Sequence, residues 1–142
     1  MRAKKIVISP KVDKQGKLVV LEESRNIPFP VKRVYYLYDM SEKARRGVHA
    51  HKRLRQILVC IHGSCKVRLD DGKESWVVPL DEPYEGLYLP SAVWREIYDF
   101  SADTVLLVLA SDLYDPSDYI TDYEEFVKYV RTCGNRESEE QT

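Results

Sequence analysis

Short runs rich in Val, Ile, Leu and Tyr recur every eight to twelve residues and are separated by turn chemistry, the spacing of a sandwich or barrel built from short strands. The pattern predicts strands at Lys4–Ser9, Lys17–Glu22, Lys32–Tyr38, Gly47–His51, Arg55–His62, Ser64–Leu69, Glu74–Val78, Gly86–Leu89, Trp94–Phe100 and Thr104–Ala110. In Asp70-Asp71-Gly72-Lys73, Asp-Gly supplies the positive-φ positions that a tight hairpin requires. His62-Gly63-Ser64 and Ser101-Ala102-Asp103 read as two further hairpin turns. Only near the end does the period change. Tyr119, Tyr123, Phe126, Val127 and Val130 share one face at helical spacing, so a single capping helix is expected over Tyr119–Val130, its aromatic stripe turned to the core. After Gly134 no apolar residue remains to be buried, and residues 134–142 read as a frayed end or the start of a linker.

With 142 residues the chain suits one mainly β domain, residues 1–133, large enough to bury about two-thirds of its unfolded surface without staples. Lys and Arg number 22 against 23 Asp and Glu, a formal charge of -1, so no global surplus of cations draws the chain to nucleic acid or anionic lipid. No apolar run approaches the roughly 18 residues of a membrane span, and Met1–Lys5 leads into only Ile6-Val7-Ile8, so neither membrane insertion nor a secretory signal is expected. Cys60, Cys65 and Cys133 form no C-x-x-C pair; they suit reduced thiols in the cytoplasm better than a disulfide frame or a zinc site.

Two segments break the even mixture of charge. Lys43–Arg55 holds six cations, two histidines and no acid; Asp112–Glu125 holds six carboxylates and no cation. Two solvated faces of opposite sign, paired with each other or across a subunit boundary, are one reading of the acidic run; they suit the basic one less well, since its cations bracket Gly47-Val48-His49-Ala50-His51. There the imidazoles are two residues apart, which on a strand places both on one face, a pattern suited to a metal ion or to proton transfer. Arg33 and Tyr35 likewise share strand parity. No Gly-rich phosphate loop or G-x-G-x-x-G is present, which removes nucleotide hydrolysis and nicotinamide chemistry from consideration.

Gly47, His49, His51, Gln56 and Gly63 resemble the first cupin motif, and Gly86 with Pro90–Arg95 resembles the second. Gln56 stands where that motif carries a glutamate and Arg95 where it carries a histidine, so a divalent ion would meet two imidazoles, a neutral amide and a repelling guanidinium. No metal and no other cofactor is therefore expected. Across Ile6–Val130 a closer resemblance appears. Arg33–Tyr36, Arg46–Lys52, Gly63–Val67, Leu69–Gly72 and Leu109–Asp115 look like the sugar 3,4-ketoisomerases that act on TDP-4-keto-6-deoxy-D-glucose.

The resemblance implies an all-β cupin-type jelly roll, or double-stranded β-helix, of two antiparallel sheets with a short C-terminal helix. It also implies a homodimer that exchanges N-terminal strands, and a TDP-sugar substrate on the way to 3-amino-3,6-dideoxy sugars of bacterial surface glycans. The family's catalytic histidines fall on His49 and His51. With a pKa near 6.5, imidazole alternates between base and acid, which fits moving a ketone from C4 to C3. His51 is then the C3 base, while His49 orients it or carries a proton to C4 or between oxygens. Tyr35 is either a donor to the developing enediolate or a packed barrel aromatic. Arg33, Arg46 and Arg95 are the candidate cations for sugar or diphosphate, Gln56 joins them in substrate binding, and Lys52, Arg53 and Arg55 are expected to be solvated. Tyr88 and Trp94 flank the second motif and either stack on thymine or belong to the core. Asp13-Lys14-Gln15-Gly16 is similar to the Asp-x-Arg-Gly form of the galacto-product branch, with Gln15 in place of its arginine. The competing classes are a non-catalytic sugar-nucleotide-binding cupin, a metal-dependent cupin enzyme and a nucleotide-sugar 3,5-epimerase relative.

Overall fold

A computed structural model describes residues 2–140, with side chains to Cys133. The strands are β1 (Lys4–Val7), β2 (Lys11–Asp13), β3 (Gly16–Leu18), β4 (Arg33–Leu37), β5 (Arg46–His51) and β6 (Gln56–His62), then β7 (Cys65–Asp70), β8 (Ser75–Leu80), β9 (Glu85–Leu89), β10 (Trp94–Tyr98), β11 (Val105–Ala110) and β12 (Tyr119–Ile120). One helix, α1 (Tyr123–Glu140), follows. Two five-stranded antiparallel sheets, in the orders β1-β9-β6-β11-β4 and β12-β5-β10-β7-β8, face one another as a cupin-type jelly roll.

Alternation along the strands decides what lies between the sheets. Leu58, Cys60, Cys65, Val67, Leu69, Leu87, Leu89, Leu106 and Val108 form the inner core, and Tyr35 and Leu37 pack against it. The intervening residues Ile57, Val59, Tyr88 and Leu109 point out of the first sheet, where Ile8, Ile27 and Phe29 cover them. Behind the second sheet, Ala50, Trp94 and Ile120 are covered by Phe126 of α1.

Three expectations are corrected. The turns at His62–Ser64 and Ser101–Asp103 are corners rather than hairpins, because β6 and β11 belong to the first sheet and β7 and β10 to the second. The corners clasp each other: Ser101 N donates to Ser64 O at 2.9 Å, and Thr104 Oγ1 to Ser64 O at 2.8 Å. Gly63 sits in that clasp at φ +75°, and an added Cβ would meet Ser101 Oγ and, at 2.8 Å, Thr104 Cα. Gly63→Ala is therefore expected to cost about 2–4 kcal/mol, from left-handed strain added to a backbone collision. A chemical denaturation midpoint unchanged from the parent protein would refute it.

The N-terminal strand expected over Lys17–Glu22 is shorter. It forms a separate hairpin with β2, closed by Asp13 Oδ1 accepting from Gln15 N and Gly16 N at 2.8 and 3.0 Å. The C-terminal helix begins at Tyr123 rather than Tyr119. Asp122 caps it, accepting from Glu124 N at 2.8 Å and Glu125 N at 3.2 Å, while the preceding Tyr119-Ile120 pairs with β5 instead. The backbone helix continues to Glu140; residue 1, residues 141–142 and the side chains of 134–140 lie outside the described residues, and with them the expected frayed or linker character of the tail.

Candidate active site

The two histidines meet because a bulge sets their strand. In the pairing of β5 with β10, Arg95 lies opposite His49 and Ile97 opposite Arg46, so β5 carries one extra residue, and Gly47 absorbs it at φ +61°. Beyond the bulge His49 and His51 both turn inward. Their Nε2 atoms lie 3.0 Å apart, with the rings perpendicular. His51 is 1% exposed and His49 half-buried.

Arg95 and Gln56 form the floor. Both are buried, at 3% and 2% exposure, and Arg95 Nη1 donates to Gln56 Oε1 while Nη2 donates to Val93 O at 3.3 Å. Gln56 Nε2 in turn donates to the Tyr35 hydroxyl at 2.9 Å. Arg33 lies over the Tyr35 ring at 5.3 Å and the Tyr114 ring at 5.8 Å. Of the residues expected at the site, His49, His51, Tyr35, Gln56, Arg95 and Arg33 therefore form one connected cluster. Arg46 is exposed and reaches the same place from the far end of β5. It lines, with Tyr35, His49, Gln56 and Arg95, a cavity of about 160 Å³ between β4 and β5.

Tyr88 and Trp94 do not join them. Each faces the outer side of its sheet and is buried there, Tyr88 beside Ile57 and Trp94 beside Phe126, apart from the histidine cluster.

Three residues were missed. Tyr119, assigned to a helix by its spacing, lies on β12 directly opposite His51, its ring centroid 4.4 Å from that of His51 and 4.8 Å from that of His49. Asp118 is buried beneath it, with Oδ2 3.4 Å from His51 Nδ1. Tyr114 stacks on both Tyr119 and Arg33. Asp115-Pro116 was the available signal: Pro116 opens a short 3-10 turn over Pro116–Asp118 with Asp115 as its cap, which interrupts any helix approaching Tyr119. The acidic run thus pairs in part with the basic one, through Arg53 with Asp115 at 3.1 Å and with Asp118 at 3.5 Å, while Asp112 pairs with Lys32, outside that run, at 3.5 Å. Arg53, although exposed, is held by Asp115 and Asp118 rather than merely solvated. These segments line a second cavity of about 450 Å³, bordered by Lys32, Arg33, His51, Tyr114, Asp118 and Tyr119.

Electrostatics keep the pair neutral. Burial pushes the His49 imidazole down to about 3 and the His51 imidazole down to about 2, and the Arg95 guanidinium acts in the same direction on both. Burial also lowers Arg95 to about 10, still charged at neutrality, and raises the Tyr35 hydroxyl, which stays protonated as a donor. A depressed histidine pKa means that below about 6.5 the unfolded chain binds protons that the folded one refuses. Stability from this pair is therefore complete above pH 6.5 and lost as pH falls. For activity, kcat/KM of the free enzyme is expected to run level from pH 8 to 5; an acidic limb centred near 6.5 would contradict the burial argument.

The donor set does not fit a divalent cation. The separation of the imidazole nitrogens is compatible with two ligands of one ion, but the third donor, Gln56 Oε1, is already occupied by a charged guanidinium. Among the described residues no group of three or more His, Cys, Asp or Glu side chains is arranged to hold one.

The family described as FdtA: WxcM-like, C-terminal matches residues 1–131. This chain belongs to it. The TDP-4-oxo-6-deoxy-alpha-D-glucose-3,4-oxoisomerase of Aneurinibacillus thermoaerophilus is 54% identical over 119 residues, covering 84% of this chain and 86% of that one. A 3,4-ketoisomerase of Helicobacter canadensis superposes with a TM-score of 0.89 at 43% identity, covering 92% and 98% of the two chains. The same TM-score, at 40% identity and 92% and 95% coverage, is found for a histidine-to-asparagine mutant of a 3,4-ketoisomerase from Thermoanaerobacterium thermosaccharolyticum in complex with TDP-4-keto-6-deoxyglucose.

Proposed function

We propose that the chain is a metal-independent 3,4-ketoisomerase that moves the ketone of TDP-4-keto-6-deoxy-D-glucose from C4 to C3 through an enediolate. The observation that carries this reading is a pair of imidazoles 3.0 Å apart beside the buried Arg95. The isomerisation is proton-neutral: one proton moves from C3 to C4 and one from O3 to O4. His51 Nε2 takes the C3 proton, the electron pair becomes the C3–C4 double bond, and negative charge develops on O4. Arg95 and the Tyr35 hydroxyl are the fixed donors for that charge. On substrate binding His49 turns its Nε2 proton to the sugar and frees the His51 Nε2 lone pair. After C3 deprotonation the O3 proton passes to O4 across the enediolate, and C3=O forms as the C3–C4 electron pair takes the His49 Nε2 proton at C4. The proton gained by His51 then passes to His49 Nε2 to reset the pair. The anionic substrate offsets Arg95 and raises both imidazoles toward the pKa range in which they work best.

The hexose lies across the histidine pair, between the cavity lined by His49 and the one bordered by His51. Arg46 at one lip and Lys32 with Arg33 at the other are the cations available to the diphosphate. Arg95 is too deeply engaged with Gln56 and Val93 to reach it. The product is the 3-keto sugar needed for amination at C3, in keeping with a role in 3-amino-3,6-dideoxy sugar synthesis in the cytoplasm; no helix among the described residues is long and apolar enough to cross a membrane. A homodimer that exchanges N-terminal strands is supported by the outlying β2–β3 hairpin, where Val12 and Leu18 are 66% and 57% exposed within one chain.

Incubation with TDP-4-keto-6-deoxyglucose in deuterated water, followed by NMR at C3, C4 and C5, tests the reading. A 3-ketone with deuterium at C4 is expected. Exchange at C5 would assign an epimerase, and binding without exchange a sugar-nucleotide-binding protein.

A further inference from the structure

We propose that Asp118 is a positioning residue that holds the His51 proton on Nδ1 and so leaves the Nε2 lone pair as the base. This rests on the ketoisomerase reading and deepens it by stating which ring nitrogen is basic and why. His51 Nδ1 is buried with no hydrogen-bond partner, and Asp118 Oδ2, at 3.4 Å, is the acceptor beside it. The carboxylate is itself fixed. Oδ1 accepts from Arg53 N at 2.9 Å and Oδ2 from Leu54 N at 3.1 Å, while Arg53 Nε approaches Oδ1 at 3.5 Å. Its backbone carbonyl also accepts from Lys52 N at 2.9 Å, so the turn carrying Asp118 is tied to the strand end carrying His51.

A neutral imidazole carries a single N–H, and its position is set by what faces the two nitrogens. On Nδ1 that proton faces a carboxylate. On Nε2 it would leave the Nδ1 lone pair facing a carboxylate oxygen inside a buried site, which is repulsive and poorly screened. With Nδ1 protonated, the contact between the rings has one polarity: His49 Nε2–H donates and His51 Nε2 accepts. That polarity makes His51 the proton acceptor and His49 the proton donor at the start of each turnover. Without Asp118 nothing enforces it, and the reversed pair presents a protonated Nε2 at the position of the base.

The test is a tautomer measurement on protein labelled with 15N-histidine, without substrate, for the parent protein, Asp118→Ala and Asp118→Asn. The asparagine variant keeps an acceptor for a backbone N–H if the alanine variant fails to fold. The parent protein is expected to show His51 protonated on Nδ1. In the folded variant the proton is expected to move to Nε2, with kcat at least about a hundredfold lower and KM within threefold. The proposal is overturned if the parent protein already carries the proton on Nε2, if the folded variant keeps it on Nδ1, or if the proton moves and kcat stays within threefold. If the parent protein produces no 3-ketone at all, it is the ketoisomerase reading that fails, since the tautomer is read independently of turnover.

Discussion

His51→Asn is expected to lower kcat by about 10³–10⁴ while binding of the TDP-sugar stays within a few-fold. The amide matches the imidazole in polarity and fits a site that is already 1% exposed, so the barrel stays folded, but it has no basic nitrogen to take the C3 proton. His49 alone cannot substitute. It remains lowered by burial and by Arg95, and after removal of the ring at position 51 it has no partner at 3.0 Å with which to exchange a proton. Deuterium exchange at C3, measured with the variant over hours, separates a slowed base from an intact one. A variant within tenfold of the parent rate would move the base to another residue.

Arg95→Met is expected to lower kcat by about 10²–10³, the scale for removing a fixed donor to a developing oxyanion. Methionine fills much of the same volume, but it removes the charge and leaves Gln56 Oε1 and Val93 O without their donor. Two signatures distinguish this from general damage. The acidic limb of kcat/KM should move up toward 6.5, because Arg95 helps to hold both imidazoles down, and Arg95→Lys, which keeps the charge, should leave the limb low. Loss of activity with the pH profile unmoved would mean that Arg95 only supports the floor of the barrel.

The strands were legible because their inward and outward residues alternate with period two, and the histidine pair was legible for the same reason. Applied consistently, that rule also separates Arg95 from Trp94: neighbours on a strand face opposite sides, so with Arg95 inside, Trp94 had to be outside, packed on α1. The same holds for Tyr88, which lies between the inward Leu87 and Leu89. What local pattern could not supply was tertiary. Whether a three-residue turn closes a hairpin or crosses between sheets depends on the partner strand, which is why the corners at Gly63 and Ser101 read as hairpins. Tyr119 had helical spacing with Tyr123 and Phe126, yet it pairs with His51 because Asp122 caps the helix after it. Asp118 stood inside an acidic run whose ordinary role is solvation. It reaches His51 only because the turn at Pro116 folds it under the end of β5.

The central claim is that two imidazoles carry protons between carbons without a metal ion. The direct measurement is kcat for TDP-4-keto-6-deoxyglucose on protein stripped of metal by chelator dialysis, with its residual metal content determined on the same sample. The rate is expected to remain within twofold of that of untreated protein and to be indifferent to added iron, zinc or manganese. A rate that collapses with the metal content and returns with one of those ions would contradict the account.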